Sequence, residues 1–345
     1  ITLTRRKFIT LLVTTTISAI TGNTVFSESK DTEITEVRVA YPPTMAALPL
    51  VKGAQQSFFL EENSVNPFLD QGIELSLIPT KGSSEAARLV SGGRADCSIT
   101  GLSSSLYAIQ GTGNLKISST VFDPNKTGRY LGLVTSGSND ISTISDLVEK
   151  KLTKSSSGSI ILALRRDDHY STDQILNQAG FPSNDSIYYV DQEDLIARLT
   201  GLIFNNYIST VLSEPILTLA LDTPEFRSYQ ISLISDYSSV TIPPFVFVFN
   251  RKIMEENPEL INKFYRGWEV ALDQTNASNN IQLLDLTTKI LAETLPSLRS
   301  AIEGTELTEE FASIFNIPEF TRPKKLNREI FNAVLNWAIS KGYLK

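Results

Sequence analysis

"GIELSLIPTKGSSEAARLVSGGRADCSITG", residues 72–101, settles the class of fold. Its opening alternates apolar and polar residues and reads as a strand that ends at Pro79-Thr80. Residues 84–91 carry apolar side chains at helical spacing and stop at Gly92-Gly93, and "ADCSIT" is a second strand ending at Gly101. Strand, loop, helix and strand in one short stretch is the unit of an α/β wind. The loop between the first strand and the helix holds Lys81, Gly82, Ser83 and Ser84.

The same order extends in both directions. Upstream, "EVRVAY" (36–41) is a strand pattern followed by Pro42-Pro43 and the helix-like "LPLVKGAQQSFFLEE". Downstream, "LKISSTVF", the turn "DPNKTG" and the strand "YLGLVTSG" lead into the helix "ISDLVEKKL", after which Ser155 to Ser159 open another helix. "LVSGGRADCSITG" (89–101) and "LTGLIFNNYISTVLSEP" (199–215) share a helix end, a short strand and a small-residue loop, which suggests two similar α/β lobes. Helices follow in "NPELINKFYRGWEVAL", "IQLLDLTTKILAETL" and "REIFNAVLNWAISKG". The stripe Leu260, Ile261, Phe264, Trp268 and Ala271 faces a core, and Trp268 and Trp337 read as packing residues.

Composition excludes several classes of function. The 345 residues are 41% hydrophobic and 20% charged, a globular balance with room for two domains of ordinary size. Arg5, Arg6 and Lys7 are the only charged residues in 1–27, so removing that segment takes the net charge from −7 to −10, and an acidic body argues against nucleic acid as a partner. One cysteine, Cys97, and one histidine, His169, allow neither an internal disulfide nor a Cys/His zinc set. "RRDDH" (165–169) offers two carboxylates and an imidazole but reads as a solvated charged face, and neither a metal nor a cofactor is expected.

The first 27 residues read as an export signal. Thr4-Arg5-Arg6-Lys7-Phe8-Ile9 resembles the twin-arginine signal, and the apolar stretch behind it, Phe8 to Ile20, is too short and too rich in threonine to span a membrane. The expected product is soluble and extracytoplasmic, with cleavage near Ser27.

In an open α/β sheet a ligand sits beyond the carboxyl ends of the strands, where helix starts offer free N–H groups and a partial positive charge. Four loops fit: Tyr41 to Thr44, Thr80 to Ser84, Thr100 to Ser103, and Ser155 to Ile160. Their serines also serve as ordinary helix caps, so the argument rests on several loops converging. No GxxxxGK[ST] loop is present, Gly111-Thr112-Gly113 precedes a strand, and Gly101-Leu102-Ser103-Ser104-Ser105 only partly resembles a nucleophile elbow, so nucleotide and serine-hydrolase chemistry are unsupported.

The set of these features resembles the substrate-binding proteins of ABC importers, in the group that serves sulfonates, nitrate, taurine and thiamine-pyrimidine precursors. The matching stretches run from "VRVAYPP" and "LPLVKG" through residues 80–101, "ISDLVEKKL", "SSSGSIILALRR", "QILNQAGF", "LSEP" and "IPPFVFVFNRKIMEENPELINKFYRGWEVAL" to the terminal "WAISKGYL". The resemblance implies the α/β, two-lobed type II periplasmic-binding fold. Lobe 1 would be 36–130 with 240–345, lobe 2 would be 131–239, and the crossovers would fall near Arg129 to Leu133 and Ser235 to Pro244. It further implies a monomer that captures a small anionic or heteroaromatic organic solute and delivers it to a membrane permease, without catalysis. Carried over by position, the ligand residues would be Tyr41, Thr44, Lys81, Ser83, Ser84, Thr100, Gly101, Ser156, Gly158, Ser159, Asp191 and Glu214. The second lobe departs from the pattern at "GLIFNNY" and at "RRDDHYSTD", which lengthens the expected helix after Gly158. Other readings are an enzyme akin to the pyrimidine synthases, which the single cysteine and histidine disfavour, and a sensor module serving a membrane kinase.

Overall fold

Thr35–Tyr41 (β1) lies between Ile73–Pro79 (β2) and Cys97–Gly101 (β3), parallel to both. The computed structural model describes residues 34–55, 66–126, 129–151, 160–181, 188–295, 312–315 and 318–345. The expected export signal and the loop holding Ser156, Gly158 and Ser159 lie outside those residues. Leu115–Phe122 (β4) and Phe245–Asn250 (β10) complete the first sheet in the order β2-β1-β3-β10-β4, with β10 antiparallel to both neighbours. β10 is "FVFVFN", apolar on both faces, as a central strand covered on both sides must be.

A second sheet holds Leu131–Thr135 (β5), Ile160–Leu162 (β6), Tyr189–Asp191 (β7), Ser209–Ser213 (β8) and Ser232–Ser235 (β9), in the order β7-β6-β8-β5-β9. β6 runs parallel to β7 and β8, while β5 runs antiparallel to β8 and β9. The chain passes between the sheets twice, through residues 123–130 and 236–244. In chain order the α-helices of the described residues include Leu48–Gln55 (α1), Ser83–Ser91 (α2), Leu102–Thr112 (α3), Ile144–Lys151 (α4), Asp167–Gln178 (α5), Leu195–Ile203 (α6), Ile216–Asp222 (α7), Arg251–Glu256 (α8), Pro258–Asn276 (α9), Asn280–Thr294 (α10) and Arg328–Ser340 (α11).

Two sequence expectations need correction. The helix expected to follow Gly158 directly is a strand: Ile160, Ile161 and Leu162 are all buried, and the first two pair on both sides, so the apolar run is a central strand and helix α5 starts only at Asp167. "RRDDH" is no solvated face either. His169 is buried, and Asp167 and Asp168 are partly buried and hydrogen-bonded.

The core beneath the first sheet is aromatic. Trp268 is fully buried, its ring 4.8 Å from that of Phe247 at 83°, and Phe264 sits edge-on to Phe247 at 5.3 Å. Trp337 is buried as well, and its Nε1–H donates to Asp173 at 2.8 Å. Among the described residues no helix is long and apolar enough to cross a membrane.

Candidate functional site

A cleft enclosing about 720 Å³, counted out to its open mouth, takes lining residues from both sheets and their helices. From the first sheet's side come Pro42, Pro43 and Thr44 after β1, Lys81, Gly82 and Ser83 after β2, and Ser104 on α3. From the second come Ala163, Arg166, Asp167 and Asp168 around the start of α5, and Glu193, Leu195 and Arg198 around the start of α6. Tyr130 and Phe245, next to the two chain passes, form an aromatic wall with ring centroids 6.0 Å apart and near-perpendicular planes.

Charged groups on the second sheet's side are held by one another. Arg198, only 3% exposed, donates from Nη1 to Asp168 at 2.8 Å and to the Val211 carbonyl at 2.9 Å, and from Nε to the Gln192 carbonyl at 2.6 Å. Asp168 also accepts from the Ala163 and His169 N–H groups. A buried arginine satisfied in this way keeps a fixed planar fork beside the cleft. Arg166 pairs with Glu193 at 3.4 Å, and its buried Nε has no hydrogen-bond partner among the described residues. Asp167 accepts from the N–H and Oγ–H of Ser103, at 2.9 and 2.5 Å. Desolvation outweighs those two hydrogen bonds and pushes its carboxyl up to about 7, with neighbouring Asp168 adding to the shift.

The structure brings some of the expected residues to the cleft and leaves others out. Thr44, Lys81 and Ser83 line it. Thr44 Oγ1 is 3.1 Å from the Tyr130 hydroxyl, and Ser83 Oγ accepts from the Gly101 N–H at 3.2 Å. Thr100 and Gly101 act behind the wall: Thr100 Oγ1 donates to the Ser83 carbonyl at 2.8 Å, stitching the two loops together. Ser84 contributes its backbone N–H, which donates to Glu193 at 3.2 Å. Tyr41 is fully buried and donates to the carboxylate of Glu293, while Asp191 accepts from the Leu164 N–H at 2.9 Å. Glu214 is buried next to the lining residue Ser213 and takes both hydrogen bonds of Thr218. Its burial pushes the carboxyl up to about 7 against the pull of Thr218 and Arg129.

Ser104, Tyr130, Arg166, Asp167, Asp168, Glu193, Arg198 and Phe245 line the cleft and are absent from the ligand residues expected from the sequence. The available signal for three of them was the charged start of a helix in "RRDDH", directly after the apolar run of a central strand, which is where an α/β sheet presents its ligand loops.

The sequence profile of the family described as NMT1/THI5 like matches residues 66–278. The chain belongs to that family. No curated protein sequence matches the chain. Among solved structures it is similar to the alkanesulfonate-binding protein SsuA of Xanthomonas axonopodis pv. citri, described as bound to MOPS, with a TM-score of 0.66, 12% identity, and coverage of 91% of this chain and 95% of that one. It is also similar to the periplasmic aliphatic sulphonate-binding protein SsuA of Escherichia coli (TM-score 0.64, 15% identity, 90% and 88% covered) and to the periplasmic nitrate-binding protein NrtA of Synechocystis PCC 6803 (TM-score 0.62, 12% identity, 90% and 83% covered). The expected resemblance and fold class hold: two five-stranded sheets flanked by helices form the periplasmic-binding fold.

Proposed function

We propose that the chain is the extracytoplasmic solute-binding component of an ABC importer. It captures one small organic solute between two lobes, 36–130 with 240–345 and 131–239, and presents the closed surface to a membrane permease. The observation that carries this reading is the cleft itself, lined in comparable measure from both sheets and flanked by the two chain passes that link them. Tyr130 and Phe245 give it an aromatic wall suited to a flat ring, and Thr44, Lys81, Ser104 and Arg166 supply donors. Binding and closure need no covalent step.

The test is a thermal-shift screen against alkylsulfonates, nitrate, taurine, aminopyrimidines and flavins, followed by calorimetry on the solute that raises the melting temperature most. The expected result is one solute class that stabilises the protein, with affinity weakened about tenfold by Lys81→Ala while the melting temperature without solute stays nearly unchanged. Solute turnover, or a screen without any stabilising compound, counts against the binding-protein reading.

A further inference from the structure

Two helix starts on the first sheet's side of the cleft are capped from the opposite side. Helix α2 begins after Gly82 and helix α3 after Gly101, and neither glycine has a side chain with which to cap its helix. The caps come from the second sheet's side, one from the loop before α6 and one from the first residue of α5. Glu193 Oε1 accepts from the Ser84 N–H at 3.2 Å, and Asp167 Oδ1 accepts from the Ser103 N–H at 2.9 Å and the Ser103 hydroxyl at 2.5 Å. In each helix the donor is the second residue, the position that a capping oxygen ordinarily serves.

Both glycines permit the approach. A Cβ on Gly82 would fall on the Glu193 carboxylate, and one on Gly101 would fall on the Asp167 carboxylate. The N–H groups and partial positive charge at a helix start are what an oxyanion seeks. Here the protein's own carboxylates stand in that place at two helices.

A second observation marks this wall as ligand-facing. Ser104, the third residue of α3, lines the cleft at 2% exposure, and its buried Oγ has no hydrogen-bond partner among the described residues. The lining is also balanced in charge, with Lys81, Arg166 and Arg198 against Asp167, Asp168 and Glu193.

We propose that Asp167 and Glu193 set the cleft's selectivity against oxyanions, so that it takes an uncharged organic solute with N–H or O–H groups. An entering sulfonate or nitrate either displaces a carboxylate from its helix start or sits beside it as a like charge. An uncharged solute instead uses the acceptor capacity left on the two carboxylates, together with Ser104 Oγ and Arg166 Nε. This inference rests on the solute-binding reading above.

The experiment measures ethanesulfonate, nitrate and two uncharged heteroaromatic amides, cytosine and nicotinamide, by calorimetry and thermal shift on the full chain. The proteins are the wild type, Asp167→Ala/Glu193→Ala and the isosteric Asp167→Asn/Glu193→Gln. In the expected result the double alanine variant binds ethanesulfonate at least about tenfold tighter than the wild type, and the isosteric pair gains in the same direction by less. Should the alanine variant fail to fold by circular dichroism, the isosteric pair carries the test and must still gain. Equal oxyanion affinity in wild type and variants overturns the proposal, whether that affinity is tight in both or absent from both while an uncharged solute binds the wild type. If neither these probes nor the wider solute screen stabilises the wild type, the solute-binding reading itself falls, and the selectivity proposal with it.

Discussion

Gly101 leaves room for the Asp167 carboxylate, so one added carbon there has a local and readable effect. Gly101→Ala pushes the carboxylate off the Ser103 N–H and should cost about 2 kcal/mol, the worth of a hydrogen bond to a charged group, in urea melts. Gly93→Ala is the control: open space surrounds that position, its φ of 72° penalises any side chain, and the cost should be about 1 kcal/mol with solute binding unchanged. Asp167 also imposes a pH dependence. Its carboxyl titrates near 7 in the folded chain against 3.8 in the reference state, so the folded protein holds a proton that the unfolded chain has released between those values. The group's contribution to stability therefore grows as pH falls from about 7 toward 4 and is least favourable above 7. Arg166 and Asp168 flank it, Tyr107, Tyr130 and Tyr170 couple to its charge, and Glu214 shifts in the same direction while buried His169 opposes. Asp167→Asn removes this one contribution. Relative to the wild type the variant should be more stable at pH 8 than at pH 5, and a pH-independent difference would contradict the assignment.

At the scale of elements, helices α5 and α11 meet over one buried carboxylate. Asp173 on α5 accepts from Trp337 Nε1 at 2.8 Å and from the Tyr189 hydroxyl at 2.8 Å, and pairs with Lys341 at 3.0 Å just beyond the end of α11. Removing that acceptor leaves the Trp337 and Tyr189 donors without it, so Asp173→Ala should cost about 3 kcal/mol in denaturant melts, with Asp173→Asn losing less. A loss under 1 kcal/mol for the alanine would mean that water takes over the acceptor's role. These contacts also explain what could be read in the sequence. The strands β1 to β4 and the helices α9 to α11 were legible because alternation and the stripe through Phe264 and Trp268 are local signals. Helix α3 was not, because its buried first turn is Leu102-Ser103-Ser104-Ser105, small and polar where an apolar face is sought. "RRDDH" misled for a related reason: Asp167 is satisfied by Ser103 and Asp168 by Arg198, partners 64 and 30 residues away that no local pattern reveals. For the site, the loops at the strand ends were legible, and Thr44, Lys81 and Ser83 came from them. The carboxylates that meet those loops from the second sheet depend on how the two sheets face each other.

For the whole molecule, one side chain ties the two chain passes together. Asn125 on the first pass donates from Nδ2 to the Ile242 carbonyl at 2.8 Å and accepts from the Ile242 N–H through Oδ1 at 2.8 Å. A side-chain amide pairing with both polar groups of one backbone residue holds the passes in register much as a strand partner would. Ile242 and Pro243 also line the cleft, so that register sets where the second pass stands relative to a bound solute. Asn125 itself does not line the cleft. Asn125→Ala should cost about 1–2 kcal/mol of stability through the two lost hydrogen bonds. The larger expected effect is on the solute, whose affinity should fall about tenfold in calorimetry as the passes lose their fixed register and the binding-competent arrangement becomes less populated. Small-angle scattering separates this from simple unfolding: the variant should keep a folded profile with a slightly larger radius of gyration, and saturating solute should return it to the wild-type value. Unchanged affinity together with an unchanged radius would mean that residues 123–130 and 236–244 carry the chain between the sheets without governing how the cleft closes.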